Sequence, residues 1–164
     1  IEEDAFHRFA LDGTVPLVEA DVMIAAGFDG SGKTVVVIDS GVDSAHPNFA
    51  GKLVDEACFA SGGPGPNGDC PNGQDVDFGS GSGTYCTYSD ECFHGTHVAG
   101  IAVGNGPAYS GVAQGATLIS IQVATRVDSE AICGVGESPC PRPAESDMVL
   151  AVEEVFDDFR HEHT

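Results

Sequence analysis

Thr34-Val35-Val36-Val37-Ile38 is an uninterrupted run of β-branched residues, and it constrains the fold more than any other stretch. Side chains branched at Cβ favour an extended backbone, and a strand apolar on both faces needs cover on both. Such a strand belongs in a parallel sheet layered between helices. It ends at Asp39-Ser40-Gly41-Val42-Asp43, so Asp39 stands at the carboxyl end, where the ligand crevice of an open α/β sheet lies. Thr117 to Val123, with Leu118, Ile119, Ile121 and Val123, reads as a second strand of the same kind. The expected class is α/β with a mostly parallel sheet and helices on both faces.

Ahead of the first strand, Gly27-Phe28-Asp29-Gly30-Ser31-Gly32-Lys33-Thr34 fits the phosphate-loop pattern letter for letter. That mechanism needs a strand before the loop and a helix after it. Here the order is reversed, because Val15 to Ala26 reads as a short helix stopping at Gly27 and a strand follows. The glycines therefore read as a helix-to-strand turn with Lys33 in solvent.

Cys92 to Gly104 (CFHGTHVAGIAVG) reads as a loop turning into a helix. Its small residues, Gly95, Ala99, Gly100, Ala102 and Gly104, would let it lie close against a sheet, and His94 sits at its mouth. A titratable ring at the start of a buried helix suits general acid–base work, and a satisfied core histidine is the bland alternative. At the far end Ser146 reads as the N-cap of a last helix carrying Met148, Val149, Val152, Val155, Phe156 and Phe159 on one stripe.

From Gly51 to Glu91 little regular structure is legible, since Gly, Pro, Ser, Asn and Asp dominate. Cysteines are spaced through this stretch, and two more stand in the insert from Ala124 to Glu145. All six form local couples, and the sequential pairing is expected: Cys58 with Cys70, Cys86 with Cys92, Cys133 with Cys140. Disulfides of this kind imply an oxidising compartment. Zinc fits poorly, because the spacing is wrong and the histidines lie elsewhere. Six lysines and arginines against 26 aspartates and glutamates give a formal charge of -20, which argues against nucleic acid or an anionic membrane as partner. No apolar run is long enough to span a bilayer.

Two segments together resemble the subtilisin-like serine proteases, the subtilases. Val35 to Asp43 (VVVIDSGVD) is similar to their aspartate motif and His94 to Gly100 (HGTHVAG) to their histidine motif. Gly111 to Val123 (GVAQGATLISIQV) is similar to the strand segment that follows, with Gln114 where proline is frequent. The resemblance implies a three-layer, doubly wound subtilisin-like fold, secretion, and protein or peptide substrates. It implies that Asp39 orients His94, and that His94 serves as general base toward a serine and then as general acid. No cofactor is required for that chemistry; the resemblance allows a structural calcium in the full domain, and Asn48, standing where many members have a calcium-binding aspartate, argues against one at this position.

No Gly-Thr-Ser nucleophile motif, oxyanion asparagine or Ser-Leu-Gly substrate strand is present. The expectation is that residues 13–164 are the N-terminal portion of a catalytic domain, incomplete as it stands. The remainder of that domain would be a partner lying C-terminal to Thr164. Residues 1–12 would be the end of a pro-segment or a tail. The alternative is a catalytically inactive interaction module built on the same fold.

Overall fold

A computed structural model describes residues 15–63, 68–107 and 109–161, with the side chains of 158–161 set aside. The expected pro-segment end, residues 1–12, lies outside the described residues. A short helix α1 (Ala20–Ala25) leads through the glycine turn into β1 (Thr34–Asp39). Gly27, Gly30 and Gly32 all have positive φ, and Lys33 is exposed. At Gly30 the bare Cα also matters for packing, since a Cβ there would come within 2.9 Å of the Ala113 methyl.

Four strands form the main sheet in the order β1-β4-β2-β3, with β2 spanning Leu53–Phe59, β3 Val76–Phe78 and β4 Thr117–Gln122. β4 runs parallel to both β1 and β2, and only β3 is antiparallel. The register pairs Val35 with Leu118 and Asp39 with Gln122. A second, two-stranded sheet pairs β5 (Ala124–Val127) with β6 (Cys140–Pro143) across the one-turn helix α3 (Glu130–Cys133).

β1 shows why its run of branched residues is continuous. Val35 and Val37 pack with Leu118, Ala99 and Val103 beneath helix α2 (His94–Val103). Val36 and Ile38 face the other way, into the cluster of Phe59, Ile121, Ala151 and Val155 beneath helix α4 (Glu145–His161). Both sheet faces are thus covered by helices, and each buried aliphatic side chain contributes about 1.5–3 kcal/mol.

Three expectations need correction. The stretch from Gly51 to Glu91 contains β2, an inner strand of the sheet. Its pattern is disguised because the register shifts between Leu53 and Asp55, leaving Val54 56% exposed, and because Glu56 is buried. Ser146 is not an N-cap; α4 starts at Glu145, and the Met148 N–H already bonds to Ala144 O at 3.1 Å. Nor does the anticipated stripe bury itself. Asp147 and Ala151 are buried, Val155 of the stripe packs against the core, Met148, Val149, Val152 and Phe156 are exposed, and the Phe159 side chain lies outside the described residues. The helix is turned by Asp147, whose two oxygens accept the Ser61 N–H and hydroxyl, each at 2.8 Å. A carboxylate so bonded can be buried, and it draws its own face of the helix inward.

Candidate active site

β1 delivers Asp39 to the end of the sheet, and α2 begins at His94 directly above it. The His94 Nδ1 lies 2.8 Å from Asp39 Oδ1 and 2.9 Å from Oδ2. Asp39 is mostly enclosed, with 18% of its side chain exposed, whereas His94 is 69% exposed. The carboxylate is held in turn by the Ser40 N–H, which donates to Oδ1 at 2.7 Å. A carboxylate accepting from Nδ1 puts the ring proton there and leaves Nε2 as the basic lone pair. Among the described residues no hydroxyl or thiol hydrogen-bonds to that Nε2.

Ser40 is the residue that sequence reasoning missed. It is buried, its Oγ donates to Cys92 O at 2.8 Å, and the Gly95 N–H donates to that Oγ at 3.0 Å. Its carbonyl accepts the Cys86 N–H at 3.2 Å. One serine therefore grips both ends of the loop closed by the Cys86–Cys92 disulfide and the first turn of α2. Outside that bridge, Tyr85 and Phe93 stack with ring centroids 5.2 Å apart. A serine after a strand-end aspartate carries no sequence signal of this role, since either element could have ended without it.

Gly95 is obligatory for the approach of helix to strand. A Cβ there would lie 2.5 Å from Gly41 O and 3.1 Å from both Asp39 Cβ and Oδ1. Thr96 takes a local role, its Oγ1 accepting the Asp43 N–H at 2.9 Å. His97 is exposed and stands apart from the pair.

Beside His94 a cavity of about 410 Å³ opens between Ile38, Val123, Met148 and the β5–β6 hairpin. Its walls are largely apolar, while Glu91 and Arg142 form an ion pair of 2.5 Å at its edge. That pair ties the Cys86–Cys92 loop to β6, and Arg126 of β5 lies over the Tyr88 ring at 5.6 Å from the same loop. The other bridges join Cys58 to Cys70, anchoring β2 to the loop before β3, and Cys133 to Cys140, closing the hairpin.

Asn48 serves the fold: its carbonyl accepts the Asn105 N–H at 2.9 Å, and its amide lies against Gly106. Among the described residues no group of three or more His, Cys, Asp or Glu side chains converges as a metal site.

A sequence model described as the Subtilase family matches residues 30–133, a span containing both Asp39 and His94. The chain is 30% identical over 128 residues to Subtilisin E of Bacillus subtilis (strain 168), covering 75% of this chain and 28% of that protein. It is 35% identical over 117 residues to Subtilisin-like protease 3 of Pseudogymnoascus destructans, covering 71% and 21%. With Alkaline serine exoprotease A of Vibrio alginolyticus it shares 32% identity over 111 residues, covering 68% and 16%. The chain thus spans under a third of the length of these relatives.

Proposed function

The chain belongs to the subtilase family of serine proteases, and on that premise we propose that it supplies two of the three groups of an endopeptidase triad, Asp39 and His94. The observation that carries this reading is the doubly close contact of Asp39 with Nδ1 of an exposed His94 ring whose Nε2 has no partner among the described residues. Nε2 takes the proton of a serine hydroxyl as its oxygen attacks the substrate carbonyl. The imidazolium, stabilised by Asp39, then gives that proton to the leaving amine, and water hydrolyses the acyl-enzyme by the same relay. Desolvation by the apolar cavity strengthens the charge interaction while a peptide is bound.

The serine and the oxyanion donors belong to a further part of the catalytic domain, of which residues 13–164 are the N-terminal portion. Substrates are protein or peptide segments lying in the cavity beside His94. The compartment we assign is extracellular, because three disulfides persist where the medium is oxidising; no helix among the described residues is long and apolar enough to cross a membrane.

The deciding experiment replaces His94 with Ala in the protein that contains this chain and its serine. Loss of casein hydrolysis with the fold retained supports the reading, and undiminished hydrolysis refutes it. The 164-residue chain by itself is expected to cleave nothing, since a triad without its nucleophile loses about 10⁶ in turnover. An inactive binding module would share the geometry but show no cleavage in the longer protein.

A further inference from the structure

Asp39 and His94 are joined by a second route besides their own contact, and it runs around the cavity beside them. The Val123 N–H donates to Asp39 O at 2.8 Å, so the root of β5 is fixed to the end of β1. On β5, Thr125 pairs with Arg142 of β6, and its hydroxyl donates to Ser61 O at 2.7 Å. Arg142 Nη1 donates to Glu91 Oε2 at 2.5 Å, and the Glu91 carbonyl accepts the His94 N–H. From His94 Nδ1 the route returns to the Asp39 carboxylate. Asp39, Val123, Arg142, Glu91 and His94 all line the cavity.

Glu91 links the two halves of this circuit because it serves both neighbours at once. It belongs to a single 3₁₀ turn, Asp90–Phe93, and its N–H donates to the Oγ of Ser89, the N-cap, at 3.3 Å. The hydrogen bonds of a 3₁₀ turn have poorer geometry than those of an α-helix, so its position depends on outside support. The Glu91 carbonyl meets the first residue of α2, while its carboxylate is anchored on the smaller sheet. That anchor is itself restrained. Arg142 Nη1 also donates to Pro141 O at 2.7 Å, and Cys140, at the start of β6, is bridged to Cys133. On the other strand of the hairpin, Arg126 lies over Tyr88 of the same loop.

Such an ion pair adds little to stability, because its side chains are 36% and 44% exposed and water screens their attraction. Geometry is what it can control. A displacement of about 1 Å at a catalytic group costs on the order of 10²-fold in rate, so a weak restraint next to His94 has a large lever on turnover.

We propose that Arg142 is a positioning residue for His94, acting through Glu91, so that the β5–β6 hairpin sets the imidazole in place as well as walling the cavity. The consequence for turnover rests on the peptidase reading; the placement of His94 does not, and it is tested apart from it.

The first arm measures amide hydrogen exchange in this chain, comparing His94 with Leu118, whose N–H donates to Lys52 O within the sheet. In Arg142→Ala the His94 amide is expected to exchange at least about tenfold faster while Leu118 stays within about twofold. The charge swap, Glu91→Arg together with Arg142→Glu, is expected to restore the slow rate at His94. An unchanged His94 rate overturns the proposal, and so does equal acceleration of both amides, which marks a loss of global stability alone. Should Arg142→Ala fail to fold, Glu91→Gln, which keeps the backbone and removes the charge, is held to the same outcomes. The second arm uses the longer protein that carries the serine. There Arg142→Ala is expected to lower kcat about tenfold with KM within about twofold, and the charge swap to recover most of the loss. An unchanged kcat overturns the proposal. If His94→Ala leaves casein hydrolysis undiminished, the peptidase reading fails and the exchange rates alone decide the role of Arg142.

Discussion

Ser40 accepts the backbone N–H of Gly95 at 3.0 Å, one step along both elements from the contact of Asp39 with His94. Strand end and helix start are thereby joined by two successive rungs. The second rung is an uncharged one that tells nothing about chemistry and a great deal about positioning. Ser40→Ala removes it, leaving the Gly95 N–H and the Cys92 carbonyl without their partner in a buried setting. A loss of about 1–3 kcal/mol is expected from urea unfolding, the cost of orphaning buried polar groups.

Asp39→Asn keeps an acceptor for the Ser40 N–H but turns the charge off. The amide presents donors toward Nδ1, so the ring proton should move to Nε2 and the lone pair to the wrong side. Nitrogen NMR of His94 in this chain should show the tautomer reversed. In the longer protein peptidase turnover should fall by about 10⁴.

Gly95→Ala tests the closeness of α2 to β1. The added methyl meets Gly41 O and the Asp39 side chain, so the helix must back away. Overpacking of this kind costs about 1–3 kcal/mol. Calorimetry should show the loss, and the nitrogen signals of His94 should report a weakened bond to Asp39.

Much of this was legible in advance. The branched run from Thr34 to Ile38 announces a strand covered on both faces, and the small residues after His94 announce a helix pressed on a sheet. β2 escaped because Asp55 and Glu56 interrupt the apolar pattern; Glu56 is nonetheless buried, and its charge meets the Gly81 N–H, a partner 25 positions away. The face of α4 escaped for a related reason. Asp147 would count as solvent-facing in any hydrophobic stripe, yet it is 2% exposed because Ser61, distant in sequence, satisfies it. Burial of a polar group is decided by its partner, and a partner far along the chain leaves no periodic trace.

Replacing Cys86 and Cys92 together by Ala opens a loop of sequence separation 6. Loop-closure entropy alone puts the cost at about 2 kcal/mol. Because Ser40 holds the backbone at both ends of that loop, the double variant should still fold, and its thermal midpoint should fall measurably.

Tyr88 gives a pH signature. Burial pushes its phenol well above the ordinary range, with the nearby Asp69 carboxylate adding to the effect, and its buried hydroxyl has no hydrogen-bond partner among the described residues. The folded state therefore prefers the neutral phenol. This contribution is complete below the ordinary tyrosine pKa of about 10, and it is lost as pH climbs from there toward the raised value in the folded state. Tyr88→Phe should match or exceed the parent in stability at neutral pH, since it removes an unsatisfied group. Urea midpoints measured against pH should fall less steeply above about pH 10 in the variant.

Thr34 and Thr117 face each other across β1 and β4 with 83 positions between them. Parallel pairing over such a separation makes the chain rich in non-local contacts, and chains of that kind fold slowly because loop closure precedes any reward. β1 cannot take its place in the sheet until β4 has been synthesised, after both Asp39 and His94. The pair is therefore a late product of folding, and amide exchange around it should report global unfolding more than local opening.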